Sequence, residues 1–170
     1  FSTGQTVDLF PSCSTSAISE TLVRLPVVTR RYGWMVLMST NRIRPIVLGL
    51  IQDGDRLFVA ESFDTITHEP FYRALGGGIE FGESSIDDLK REFWEEIQAE
   101  LTNIEYLCCL ENRFVCNGKP GHEIIQLYRC DFADTRFYKL EQMIVREETE
   151  TAIAYWIAID EFKSGNRRLV

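Results

Sequence analysis

Glu92, Glu95 and Glu96 stand at i, i+3 and i+4, a spacing that puts three carboxylates on one face of a helix. Like charges so close repel unless a cation lies among them, and an all-oxygen donor set suits Mg²⁺ or Mn²⁺, not zinc. No Lys or Arg follows at positions 97–100 to neutralise the cluster. Solvated surface glutamates are the ordinary alternative, and spacing alone leaves both readings open. The run Gly76-Gly77-Gly78 just upstream shifts the balance, because consecutive glycines mark unusual dihedrals or close backbone approach. Such a loop beside a carboxylate helix can offer a carbonyl to a metal and amides to phosphate oxygens. Together, loop and helix suit divalent ions held against a phosphate chain. There is no Walker A sequence and no GxSxG elbow, so P-loop and serine-hydrolase chemistry have no support.

These residues need elements to position them. From Ser84 the apolar period becomes helical, with Ile86, Leu89, Phe93 and Ile97 in one stripe, and Ser84 with Asp87 forms a capping box. A helix over about 84–97 follows. Residues 44–51 read as a buried strand and 56–60 as its partner across Asp53-Gly54. Residues 64–72 look irregular. Strand material is expected at 104–110, 112–116, 122–132 and 151–159. Asn117-Gly118 should turn a hairpin whose loop is lengthened by Lys119-Pro120-Gly121, and Asp160 should cap a last helix from Glu161. The pattern is α+β with a mixed sheet.

The 170 residues are enough for one domain, and 45% hydrophobic with 26% charged residues is a globular balance. A net charge of −8 argues against general nucleic-acid binding or an anionic membrane surface. No run approaches the roughly 18 apolar residues of a membrane span. Residues 1–20 lack the pattern of a signal peptide, so the expected location is cytoplasmic. Cys13, Cys108, Cys109, Cys116 and Cys130 have no CxxC spacing and are expected to be small buried hydrophobes.

The segment from Gly77 to Ala99 resembles the Nudix box, G-x5-E-x7-R-E-U-x-E-E-x-G-U with U apolar. Gly77, Glu83, Arg91, Glu92, Phe93, Glu95, Glu96 and Ala99 stand at its positions, and Gln98 replaces the family glycine. That glycine commonly ends the helix in a left-handed conformation, so Gln98 bears on stability and not on catalysis. The resemblance implies a Nudix-like mixed β-sheet sandwiched between helices (α/β/α). It implies a hydrolase of a nucleoside diphosphate linked to X, with Mg²⁺ or Mn²⁺ held by Glu92, Glu95, Glu96 and the Gly76 carbonyl. Glu83 and Arg91 would pair. The general base would come either from the box helix or from a later glutamate, for which Glu147, Glu148 and Glu150 are the candidates, with Glu150 preferred and Glu123 a weaker candidate. Arg73, Gly77 and Phe114 are the expected substrate contacts, and Phe63, Phe71 and Tyr72 are further stacking candidates. Residues 41–170 would form the domain and 1–40 an extension of unclear role, whose apolar runs suit added edge strands or a homodimer contact. The alternative is a non-catalytic nucleotide sensor or interaction domain on the same fold.

Overall fold

A computed structural model describes residues 42–146 and 151–170. The strands are β1 (Arg44–Asp53), β2 (Arg56–Phe63), β3 (Pro70–Arg73), β4 (Leu101–Cys116), β5 (Lys119–Phe132), β6 (Gln142–Arg146) and β7 (Thr151–Ala158). Helix α1 spans Ser85–Ile97 and α2 spans Ile159–Lys163, with a 3-10 turn at Thr135–Lys139. The sheet order is β4-β5-β1-β2-β7-β6, with β3 beside β2. All the ladders are antiparallel except β1–β5, which is parallel.

Side-chain alternation along the central strands builds cores on both faces of the sheet. Val47, Ile51, Phe58 and Ala60 pack with Leu89 and Phe93 of α1. Leu57 and Val59, which point the other way, pack with Tyr72, Ile157 and Phe162 of α2. The sheet is therefore sandwiched between helices. Gly49 lets α1 approach: a Cβ there would lie 2.8 Å from the Phe93 ring and 3.0 Å from Cys130 Sγ. Among the described cysteines only Cys130 is buried, and burial pushes its thiol up to about 12. Cys109 is exposed, contrary to expectation, and Cys13 lies outside the described residues.

Other expectations also change. The hairpin turn is only Asn117-Gly118, both at positive φ (53° and 70°), and Lys119 already pairs with Cys116. Positions 104–110 and 112–116 are one continuous strand, and 70–72, expected to be irregular, forms β3 together with Arg73 and pairs with β2. Helix α2 begins at Ile159 after Ala158, with no side-chain cap from Asp160. No helix among the described residues is long and apolar enough to cross a membrane.

Candidate active site

Strand β1 changes neighbours along its length: Arg44–Leu50 pairs with β5, whereas β2 joins only from Ile51. The open edge beside the first half is filled by the glycine loop. Val47 N–H donates to Gly77 O (2.9 Å), Gly49 N–H to Leu75 O (2.9 Å) and Ile79 N–H to Pro45 O (3.0 Å). Only glycine fits here. Gly76 has φ +135°, and a Cβ on it would lie 2.2 Å from the Val47 carbonyl oxygen. A Cβ on Gly77 would lie 2.3 Å from the carboxyl carbon of Glu92, so the loop touches the helix through bare backbone.

Helix α1 is anchored at both ends. Ser84 caps it, accepting from Asp87 N–H (3.3 Å) and donating to the Asp87 carboxylate (2.6 Å). Gln98 closes it at φ 55° and ψ 37°, left-handed as the family glycine would be, with Ala99 N–H donating to Phe93 O. Between the caps lies an ionic cluster. Arg91 contacts Glu83 (3.3 Å), Glu92 (3.0 Å) and Glu95 (3.1 Å) and makes a short hydrogen bond to Asp88. The pairing expected for Glu83 and Arg91 is thus one contact of four, and Arg91 itself supplies a cation among the glutamates. The contact with Asp88 is the main cause raising the Arg91 pKa.

Asp88, which sequence reasoning missed, is fully buried and accepts from Glu80 N–H at 3.0 Å. Burial pushes its acid up, but Arg91, Glu83 and the Glu80 amide together hold it below the ordinary carboxylate range. Glu92 goes the other way: burial is the main influence raising it, against the pull of Arg91. A sequence signal for Asp88 did exist, since it lies one turn before Arg91 and beside the apolar Leu89.

Loop and helix line a groove of about 700 Å³. Its lining combines the carboxylates Glu80, Glu92, Glu95 and Glu96 with the guanidinium groups of Arg42, Arg44, Arg73, Arg91 and Arg146. The three glutamates differ in exposure: Glu96 is buried while the Glu95 side chain is 58% exposed. Of the expected substrate contacts, Arg73 and Gly77 line the groove. Phe114 lies in a second, smaller cavity of about 210 Å³, together with Phe71 and Glu123. Tyr72 is a core residue, its hydroxyl held by Glu61 (2.5 Å) and Arg167 (2.5 Å), and Phe63 lines neither space. Glu147, Glu148 and Glu150 lie outside the described residues. Sequence reasoning also missed Arg44 and Arg146.

The donor set can be tested against a divalent ion. Among the described residues, no three His, Cys, Asp or Glu side chains converge as a ready-made cage. A hydrated Mg²⁺ needs no such cage, because it keeps several waters and takes one or two carboxylates with substrate phosphates. Glu92 and Glu95 meet that requirement on the groove wall, held one turn apart by the same guanidinium. Leu75 and Gly77 commit their carbonyls to β1, and the intervening Gly76 lines the groove. The residues present fit the ion.

Comparison with known proteins is consistent with this geometry. A family model, that of the NUDIX domain, matches residues 41–169. The NAD-capped RNA hydrolase NudC of Pseudomonas putida (strain W619) is 41% identical over 71 residues, covering 42% of this chain and 25% of the relative. NAD(P)H pyrophosphatase NUDT13, mitochondrial, of Mus musculus is 28% identical over 111 residues, covering 60% of this chain and 31% of the relative. The chain thus spans under a third of the length of these curated relatives. A MutT NUDIX hydrolase structure from Burkholderia pseudomallei superposes with a TM-score of 0.53 at 18% identity, covering 71% of this chain and 86% of that one. It shares the fold.

Proposed function

The chain belongs to the NUDIX domain family, and from that premise we propose that it hydrolyses the pyrophosphate bond of a small-molecule nucleoside diphosphate linked to X. The observation that carries this reading is a groove lined by both carboxylates and arginines. Carboxylates alone would repel a diphosphate, and arginines alone would bind it without chemistry. Both together bind the anion and leave room for a cation. The NAD-directed names of NudC and NUDT13 favour a dinucleotide substrate, with X a second nucleoside, over a free triphosphate.

In this reading Glu92, Glu95 and Glu96, with the Gly76 carbonyl, hold Mg²⁺ or Mn²⁺. When bound, that cation neutralises phosphoryl charge and acidifies water. Arg44 and Arg73 take non-bridging phosphate oxygens and orient the chain of phosphates along the loop. Bare backbone at Gly77 lets the substrate approach the helix. Arg146 ends β6 on the groove, and the segment after it carries Glu150, which we assign as proton acceptor. Products would be a nucleoside monophosphate and phospho-X. We place the activity in the cytoplasm and within residues 41–170, with 1–40 contributing to a homodimer. A chain starting at Met38 should keep turnover, and any loss should fall on oligomeric state in size-exclusion chromatography.

A second reading has its own observation. Arg91 already neutralises Glu92 and Glu95, and no three-carboxylate cage exists among the described residues. That arrangement would also serve a non-catalytic nucleotide sensor. A hydrolysis screen across NAD, NADH, nucleotide sugars, dNTPs, dinucleoside polyphosphates and capped RNA, with Mg²⁺, Mn²⁺ or EDTA, separates the two. Hydrolase function requires cation-dependent release of a monophosphate. Nucleotide binding without turnover for any substrate would select the sensor.

A further inference from the structure

We infer that the smaller cavity beside the groove receives a heteroaromatic ring bearing an N–H₂ group, which Glu123 reads. The inference rests on the proposed function only in taking the substrate to be a nucleotide. Arg44 and Arg73 line both spaces, so a phosphate in the groove and a ring in the cavity would share these two cations. At about 210 Å³ the cavity falls below the ~300–1,000 Å³ typical of a whole drug-sized ligand. It suits one ring system, not a complete dinucleotide.

Its walls have the character that a flat ring needs. Phe71, Phe114, Pro70 and Val115 supply apolar surface. Phe114 is fixed by Gly121 on the neighbouring strand: a Cβ on Gly121 would lie 2.3 Å from the ring. The ring orientation is thus set by a glycine, and aromatic faces so held offer stacking.

Glu123 is the polar group placed to discriminate. Its side chain is only 3% exposed, yet it lines this cavity. Among the described residues its ion-pair partners are Arg44 at 3.7 Å and Arg73 at 3.9 Å, both beyond a direct hydrogen bond. These arginines balance its charge and leave acceptor capacity towards the cavity. Of the other carboxylates lining the cavity, Glu69 is exposed, and the half-buried Asp64 is taken by the N–H groups of Ile66, Thr67 and Asn117. A carboxylate only accepts, so it selects a ring edge that donates. Two sources present that edge: the exocyclic amine of adenine and the carboxamide of nicotinamide.

Isothermal titration calorimetry of the full chain in EDTA tests this with two ligand pairs. AMP is compared with purine riboside 5′-monophosphate, which lacks the amine. Nicotinamide mononucleotide is compared with nicotinic acid mononucleotide, whose carboxylate would face Glu123. In one pair the N–H₂ member should bind about tenfold tighter or more, the scale of a hydrogen bond to a charged group. The pair that responds identifies the ring. Glu123→Gln should cut that ratio to about threefold or less, while Phe114→Leu should weaken both members alike and keep the ratio. Equal binding within both pairs overturns the inference, as does a folded Glu123→Gln protein that keeps the full ratio. Because no metal or turnover is involved, the expected ratios in a chain that hydrolyses nothing would refute the hydrolase reading alone. Hydrolysis of a nucleotide without any ratio would refute this inference alone.

Discussion

The groove and the smaller cavity meet at Arg44 and Arg73, yet they are assembled in opposite ways. The groove's acidic lining comes from 76–96, one loop and one helix joined in sequence. The cavity draws on β1, β3, β4, β5 and the segment after α2, brought together only by the sheet. Chemistry that needs fixed distances between charges is written into a local motif. Selection of a ring is left to dispersed positions that can change without disturbing that motif. The loop is held by backbone bonds to β1, and the helix by an ionic cluster around Arg91.

The strongest break between the two regions should come from the carboxylates. Glu95→Gln or Glu96→Gln, or EDTA, should lower turnover about a thousandfold or more, consistent with several kcal/mol of lost charge stabilisation. Far-UV circular dichroism should stay unchanged. Phe114→Leu in the cavity should cost turnover about tenfold or less at saturating substrate. Full turnover in EDTA would remove the basis for the contrast.

Next come changes that test how rigidly the groove is built. Gly76→Ala should destabilise by about 3 kcal/mol or more in denaturant titration, because its Cβ meets backbone and its φ is +135°. Gly77→Ala should cost less stability, since its Cβ meets the end of a side chain, but should impair turnover by displacing Glu92. Equal stability losses would show that the loop's strain is shared.

Asp88→Asn should cost about 2 kcal/mol, weakening the buried contact to Arg91. Its folded-state acid is depressed, so the stabilisation is present at neutral pH and down to about pH 4, then lost as pH falls through the folded value. Wild type should therefore lose more stability than Asp88→Asn in that acid window. The smallest effect is expected at the helix end. Gln98→Gly should gain up to ~1 kcal/mol with turnover nearly unchanged, because a side chain now occupies a left-handed φ of 55°. A manyfold gain in turnover would show that the cap reaches the chemistry.

Local assembly also explains what could be read from the sequence. The helix and its Ser84 cap are encoded within a few neighbours and form as the pattern says, and the turn forms at Asn117-Gly118 but without the expected lengthening by Lys119-Pro120-Gly121. Strands β3 and β6 are four and five residues long and exist through their partners β2 and β7, so no periodicity announces them. Arg44 was visible only as the start of a strand, and its place beside Glu123 depends on the register of β1 against β5. Asp88 looked like one more first-turn acid until tertiary packing buried it.

That β1–β5 register carries a consequence for how the molecule is made. The β4–β5 hairpin closes through a two-residue turn, whereas the parallel ladder joins Arg44 to Glu123 across most of the intervening chain. Loop-closure entropy delays such long-range pairing relative to a hairpin. The ring cavity and the shared arginines should then be a late product of folding, arriving after the hairpin that supplies Phe114. Pulse-labelled amide exchange during refolding should protect β5 amides bonded to β4 ahead of the β1 amides, and the reverse order would reject that sequence of events.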